Sequence, residues 1–575
     1  MPDGETPAQA ASRVALEAVY GCLESGESFR LEAGAGAGKT YTLVKALGWL
    51  IEKRSRVFAR RGQKVACITF TNVAKDEIEA RTDRHPAVFC ETNHAFCWSL
   101  INDLQAHLRT YVSELPAWQD RLAEAGGIGG RTVEYTQGHR SIRDGVLSLH
   151  HDDILPLTIR FMENTKFRKR MAELYPVILF DEYQDTDADW VEAIKAHFLG
   201  VAGSPQFGFF GDHWQKIYGD GCGKLEHPAV KEIGKEANFR SVQVVVDCLN
   251  RMRPELPQFV DDPTAAGSVR VFHSNGWVGQ RQGGAHWGGD LPGPVAHQAL
   301  DRVKTRLVAD GWDFDASRTK VLMLTHRVLA AEQGYASLPG VFQFNDAFTK
   351  KENPHIAYLV DVLEPACDAF AARRFGEMFD VLGTAPHLRR TADKAAWAAS
   401  FQALDQLRAN GTVGEVIGHL MQARRPRPPD AVADRERDLR AFDPDAGEPM
   451  LRYLTETQAL HGVQYAEIKA LRAYLCGHSP FETKHGVKGQ EFENVLVVIG
   501  RGWNQYNFGE MLELAVNGVP AARAEMFDRN RNLFYVACSR PKKRLALLFT
   551  QQLSPAAMGK VQAWFGDAIV EGIAI

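Results

Sequence analysis

A chain of 575 residues, 45% hydrophobic and 24% charged, has the composition of a globular protein with room for several domains. Its net charge of −4 excludes a body coated in positive charge, so any nucleic acid would have to be met by a local basic groove. No run of about 18 apolar residues exists and the acidic start MPDGETPAQA lacks the apolar core of a signal peptide, which predicts no membrane partner and a cytoplasmic location.

The first informative element is an apolar-leaning segment, Ser28 to Leu31, running into AGAGAGKT at residues 33–40 and then into a helix-like run, Leu43 to Ile51. Gly34, Gly36 and Gly38 alternate with Ala33, Ala35 and Ala37. Glycine lets successive backbone N–H groups converge on one anion with no Cβ in the way. Lys39 would reach the β- and γ-phosphates of ATP, the Thr40 hydroxyl would hold Mg²⁺, and the helix would aim its positive N-terminus at the same phosphates. The strict pattern has glycine where Ala33 stands.

Further apolar, non-alternating runs follow: Lys64 to Phe70, Val177 to Phe180, Gln206 to Phe210, Val269 to His273, Lys320 to Leu324, Val495 to Ile499 and Arg544 to Phe549. Such runs suit buried parallel strands and predict an α/β fold. Residues from about 100 to 169 read as mostly helical and polar. Residues from about 346 to 475 read as strongly helical, broken by the Pro/Arg-rich Arg424 to Pro429 and followed by the acidic Asp430 to Asp445. Gly276 to Gly293 reads as a loop. The nine cysteines are scattered without a C-x-x-C pair and are expected to be reduced thiols; Cys90, His94 and Cys97 lie close but lack the second ligand pair of a zinc site. The basic clusters Lys53 to Lys64, Lys166 to Arg170, Arg424 to Arg427 and Lys542 to Arg544 read, taken singly, as solvated faces.

VILFDEYQD, residues 177–185, is a buried strand ending in two carboxylates, placed at the edge where open α/β sheets bind ligands. Asp181 would hold Mg²⁺. Glu182 would orient and deprotonate the attacking water. Phosphoryl transfer needs little beyond such positioning and charge neutralisation.

With these residues in place, the chain resembles the UvrD/Rep-like helicases of superfamily 1A. TPAQ, residues 6–9, is similar to the family's adenine-reading motif, with Gln9 as the reader, and AGAGAGKT is similar to its phosphate loop, Ala33 included. ITFTNVAKDEIEAR (68–81) resembles motif Ia, ETNHAF (91–96) motif Ib, DEYQD motif II, GDHWQKIYG (211–219) motif III and EANFRS (236–241) motif IV. LTHR (324–327) resembles the strand-end motif after it, KHGVKGQEF (484–492) motif V and FYVACSRPKK (534–543) motif VI. The resemblance implies two RecA-like P-loop domains facing each other across ATP, each with a mostly helical insertion. The first domain would hold residues 1–99 and 170–236, with 100–169 inserted. The second would hold residues 237–345 and 476–575, with 346–475 inserted. Lys39, Thr40, Asp181, Glu182 and Gln215 would come from the first, and Arg240 and Arg540 from the second as cationic fingers on the γ-phosphate. Arginine suits that task because its planar fork holds two phosphate oxygens and stays charged. Phe239 would stack on adenine, Tyr41 would alter its packing, and Glu491 would contact the ribose. Single-stranded DNA would cross Phe70, Thr71, Asn72, Thr92, Asn93 and His94, with Tyr218 as a stacking residue and His485 coupling nucleotide to DNA. Stacking of one base on an aromatic is worth about 1–3 kcal/mol.

Tyr41 stands where the family has arginine and Tyr183 where it usually has phenylalanine, but the departure that bears most on function follows motif III. The family continues motif III as tyrosine, one residue, tryptophan, arginine and glycine, whereas here the chain reads Tyr218-Gly219-Asp220-Gly221-Cys222. An acid at position 220 repels phosphate; Trp214 is the nearest substitute platform. No acidic nuclease-like cluster follows Arg540, so a fused nuclease is not expected. Three readings follow. One is an ATP-dependent motor that moves 3′ to 5′ on single-stranded or tailed DNA and separates duplex. The second is a DNA-sensing ATPase that controls a separate nuclease subunit, as in antiphage defence, with little unwinding of its own. An RNA-directed helicase is a weaker third.

Overall fold

The structure, a computed structural model, describes residues 4–135, 140–143, 145–216, 219–284, 287–323, 333–344, 346–384, 390–443, 449–476, 481–482, 491–500 and 506–575. The chain falls into two compact units. One is Met1–Val269 with Met511–Arg544 and Gly559–Asp567; the other is Arg270–Glu510 with Leu545–Met558 and Ala568–Ile575.

In chain order the first unit carries β1 (Ser28–Ala33), β2 (Val65–Thr69), β3 (Val88–Thr92), β4 (Thr132–Tyr135), β5 (Ser141–Arg143), β6 (Val146–Leu149), β7 (Val177–Asp181), β8 (Gln206–Gly211) and β9 (Val230–Lys235). Six of these form one sheet in the order β3-β2-β7-β8-β1-β9, with every neighbour parallel. Residues of β2, β7 and β8 are buried without alternation, because helices cover both faces. One face packs Val19 and Leu23 of the helix Pro7–Ser25 and Leu47 and Leu50 of the helix Lys39–Arg61. The other packs Phe180, Phe207 and Phe209 with Trp190; the rings of Phe180 and Phe209 stack at 5.3 Å. The register sets Asp181 beside Phe210 and Glu32 beside Gly211, so the C-terminal ends of β1, β7 and β8 lie side by side.

Residues 100–169 are mostly helical as expected, with one addition. Helices Gln105–Glu114, Pro116–Glu124 and His151–Met162 are present, but β4, β6 and β5 form a small sheet between them. These strands are three or four residues long, and so short an alternation leaves no readable period.

After the two-residue β10 (Ala237–Asn238) and β11 (Phe259–Val260) come β12 (Ser268–His273), β13 (Thr319–Met323), β14 (Phe481–Glu482), β15 (Phe492–Ile499), β16 (Pro541–Phe549) and β17 (Val570–Gly572). The last six form a second sheet, ordered β14-β13-β15-β16-β12-β17. All seven strands expected from apolar runs therefore exist, and two parallel sheets flanked by helices make up the fold. Between β13 and β14 in the chain, the described residues of 346–475 are helical as expected. Leu359, Leu404, Ile417, Leu460 and Ile468 form their core. Arg408 grips buried Glu364 with two bonds of 2.6 and 2.7 Å, and Tyr465 donates to the same carboxylate at 2.9 Å. The helix Val413–Ala423 stops before Pro426, Pro428 and Pro429, and the next starts at Asp430, because proline cannot continue a helical ladder. No helix among the described residues is long and apolar enough to cross a membrane.

Packing does not change at the expected division at residue 236. Residues 237–269 and 511–544 pack with the first unit. The cause is local: Asn238 and Gln258 hydrogen-bond the loop after β1, and Asn532 donates to the backbone of His213 and Lys216 after β8. Phe209→Ala removes a ring stacked from both sides within this unit. It is expected to lower stability by about 3–5 kcal/mol, read as a shift of the unit's midpoint in urea unfolding.

Candidate active site

β1 ends at Ala33, and the chain turns at once: Gly34 O accepts from Ala37 N–H at 3.1 Å. Gly36 and Gly38 take φ of +76° and +75°, open to glycine and strained for other residues. The helix Lys39–Arg61 starts directly after them, aiming its N–H groups into the loop. The outer side of the loop is held from a distant segment. Asn238 Nδ2 and Gln258 Nε2 donate to Ala35 O at 3.1 and 3.2 Å, and Phe239 N–H donates to Gly36 O at 2.9 Å. A Cβ on Gly36 would come within 2.7 Å of Arg240 Cβ, so close approach as well as φ requires glycine there.

Asp181 closes β7 and is buried. Glu182 then takes φ +50° and ψ 48°, left-handed for a residue with a Cβ. Such conformations cost of order 1–3 kcal/mol and persist where the surroundings impose them. Here they set Glu182 Oε1 3.9 Å from Lys39 Nζ, while Glu182 Oε2 accepts from Gln184 Nε2 at 2.7 Å. Gln184 Oε1 in turn accepts from Asp212 N–H at 3.0 Å, tying the loop after β7 to the loop after β8.

Beneath these loops lies a buried charge cluster that the motifs did not signal. Arg253 donates to Asp212 Oδ1 at 2.6 Å and to Glu32 Oε1 at 2.9 Å. Glu32 also accepts from Tyr183 OH at 2.8 Å and His213 N–H at 3.0 Å. Burial opposes the charge on Glu32, yet His213, Arg253 and Tyr183 hold its carboxyl well below the usual range. Asp212 Oδ2 accepts from Gln215 Nε2 at 2.6 Å, and Gln215 Oε1 accepts from Arg540 at 3.2 Å. Arg240 donates to Ser539 O at 3.1 Å. Burial and then the charge of Arg240 push Arg540 down to about 9, against the pull of Glu182. The structure thus brings Lys39, Glu182, Gln215, Arg240 and Arg540 into one compact unit, whereas the two arginines were expected from a second body. Trp214 is enclosed: the Arg531 guanidinium lies 4.2 Å from its ring centroid and Arg253 5.3 Å, with Tyr535 edge-on. It does not serve as a base platform.

Lys235, at the end of β9, is a second residue without a sequence signal. It is buried and donates to Gly38 O at 3.2 Å and Thr42 Oγ1 at 2.7 Å. Burial and then Lys39 push it down to about 8. Its ammonium lies 5.9 Å from the ring centroids of both Tyr41 and Phe239, which are exposed. Gln9 is exposed, and its Oε1 accepts from Thr6 N–H at 3.3 Å, closing the first turn of its helix. Glu491 belongs to the second unit, exposed just before β15. Tyr218, His485, LTHR at 324–327 and the motif V residues 484–490 lie outside the described residues.

A groove of about 900 Å³ is lined by Phe70, Thr71, Asn72, Thr92, Asn93 and His94 together with Tyr135 and His151. Phe70 is exposed, and His94 stacks on His151 with centroids 3.4 Å apart. The wall is not basic: Asp152, Asp187, Asp189 and Asp220 face the same space. Beyond Tyr218 the chain clips onto the DEYQD loop. Ala188 N–H donates to Asp220 O at 3.0 Å and Cys222 N–H to Thr186 O at 2.8 Å. A Cβ on Gly221 would meet Gln184 O at 2.3 Å.

A family model described as an AAA domain matches residues 16–220, the stretch holding the glycine loop, both carboxylates and Gln215. At 19% identity the chain aligns with Gabija protein GajB of Bacillus cereus (strain HuB5-5) over 96% of its own length and 97% of that protein's. It is 25% identical to ATP-dependent DNA helicase Rep of Escherichia coli (strain K12), over 38% of this chain and 40% of Rep. It is 23% identical to the probable DNA helicase II homolog of Mycoplasma capricolum, over 38% of each. The chain therefore spans about two fifths of the two helicases' length. The chain is thus similar to the UvrD/Rep-like helicases of superfamily 1A. That similarity supports an ATP-hydrolysing enzyme.

Burial and then the neighbouring His151 push His94 down to about 4 from an ordinary 6.5. The folded chain binds this proton later than the unfolded one, so the stabilisation is complete above pH 6.5 and is lost as the pH falls toward 4. His94→Asn is expected to flatten the fall in Tm across that window, followed by thermal unfolding at stepped pH; an unaltered profile contradicts the assignment.

Proposed function

We propose that this UvrD/Rep-like chain is an ATP-dependent translocase and helicase on single-stranded or tailed DNA, stepping 3′ to 5′. The observation that carries the reading is the convergence of Lys39, Glu182, Gln215, Arg240 and Arg540 at the ends of β1, β7 and β8. Lys39 and the N-terminus of its helix would take the β- and γ-phosphates. Thr40 and Asp181 are hard oxygen donors beside a cradle kept open by glycine, and they fit Mg²⁺, which would neutralise phosphate charge when bound. With Lys39 Nζ 3.9 Å from Glu182, an arriving phosphate competes for the lysine and leaves Glu182 to orient and deprotonate water. Arg240 and Arg540 would meet charge on the transferring phosphoryl group, a contribution of about 10³–10⁵ in rate for an arginine finger. Gln215 holds Arg540 on one side and Asp212 on the other. Displacement of Gln215 by nucleotide would therefore be felt at Trp214, which packs on Arg531 in the helix Ala524–Cys538. The exposed rings of Tyr41 and Phe239, each 5.9 Å from the Lys235 ammonium, would meet the base, with Gln9 as the adenine reader and Glu491 as the ribose contact proposed from the motif pattern.

A second reading rests on the groove. Asp152, Asp187, Asp189 and Asp220 line it, and the run after Tyr218 is clipped to the DEYQD loop instead of offering a stacking platform. These features favour a DNA-sensing ATPase that controls a separate nuclease and unwinds little. Of DNA repair and antiviral defence, the match along nearly all of Gabija protein GajB supports the second.

ATPase rates with and without single-stranded DNA, beside strand displacement on duplexes with 3′ or 5′ tails, test both readings. Single-stranded DNA is expected to raise turnover, and Glu182→Gln to lower it by about 10²–10⁴ while nucleotide binding persists. Failure of DNA to stimulate turnover sinks both, and stimulation without duplex opening selects the sensor. Asp220→Trp is expected to tighten single-strand binding in a fluorescence titration; unaltered affinity places the DNA path elsewhere.

A further inference from the structure

The helical part of the second unit buries a cluster whose chemistry the nucleotide site does not use. His355 lies in the helix Pro354–Tyr358, Glu436 in Asp430–Ala441 and His461 at the end of Arg452–His461. Nε2 of His355 and Nε2 of His461 each lie 2.9 Å from one and the same oxygen, Glu436 Oε1. The three donor atoms lie within 4.8 Å of one another. His355 is fully buried and Glu436 nearly so, while His461 keeps 28% of its side chain exposed.

Three lone-pair atoms converging on one point repel unless positive charge sits between them. The other such cluster, Glu32 with Asp212 and His213, has its cation in Arg253. Among the described residues, the ion-pair partners of Glu436 are the two histidines. Two imidazole protons can fill the gap, and so can one divalent ion bound by all three atoms. Nothing on the far side of His355 fixes its tautomer: its Nδ1 is buried without a hydrogen-bond partner among the described residues. A metal can therefore replace the Nε2 proton and its bond to Glu436, moving the proton to Nδ1 with no Nδ1 hydrogen bond lost.

We propose that His355, Glu436 and His461 form a binding site for a divalent transition metal, with zinc as the ion best suited. Two neutral imidazoles and one carboxylate are borderline ligands that suit zinc, whereas calcium and magnesium favour all-oxygen sets. Water from the exposed His461 side would complete a tetrahedron. The ion would pin a helix that precedes the Pro/Arg-rich break to two helices that follow it, so its binding energy would be folding energy for this region.

The test uses the full chain, stripped with EDTA and titrated with Zn²⁺ and Co²⁺. Expected are about one zinc per chain by elemental analysis, visible Co²⁺ bands of a four-coordinate site, and a rise in Tm on adding zinc. Glu436→Gln and His461→Ala, the second at the exposed rim and tolerant of truncation, are expected to lose the Co²⁺ bands. Their zinc affinity should fall by more than the about 10–100-fold typical of changes one step removed from a metal. A wild-type chain that retains under a tenth of an equivalent and shows no Tm response overturns the proposal in favour of a hydrogen-bonded triad. So does zinc binding unaltered in both variants. Neither readout depends on ATP turnover or DNA.

Discussion

Arg253 is the interaction on which the nucleotide site depends. It caps the helix Gln243–Met252 and is buried between Glu32, at the end of β1, and Asp212, at the end of β8. Two carboxylates this deep are tolerable only because a guanidinium with fixed fork geometry meets both. Each then holds a catalytic loop. Glu32 anchors Tyr183 of the loop after β7, and Asp212 orients Gln215. A cation from residue 253 thus sets the spacing of side chains that follow three different strands.

Above that base, the glycine loop is squeezed from two sides. Its outer backbone is bonded by Asn238 and Gln258, while Lys235 holds Gly38 O and Thr42 from beneath the helix start. Phe239 and Arg240 follow Asn238 directly in the chain, so the tie that supports the loop also delivers an exposed ring and a cation to its rim. The segment expected to open a second domain packs with the first for this reason.

The glycine loop, the DEYQD strand end and the seven apolar strands were legible because each is local: a conformational demand or a buried run is written within ten residues. The ties between Arg253 and Glu32, Lys235 and Thr42, or Gln258 and Ala35 join residues about two hundred positions apart. No periodicity carries such a pairing, and Lys235 reads as an ordinary strand-end charge. The small sheet of β4, β5 and β6 is hidden by its brevity, and the acidic groove by the scatter of its aspartates over three segments of the chain. The doubt about Asp220 was readable from one position; the clip that enforces it was not.

Gly221 also bears on how this chain is to be altered. Its Cα sits against the Gln184 carbonyl with no volume left for a side chain. Arginine, the family's residue at that position, therefore cannot be restored by a single codon change; the loop would first have to detach from Thr186 and Ala188. Grafting a standard unwinding track onto this scaffold means exchanging the loop that carries Gly221 as a block.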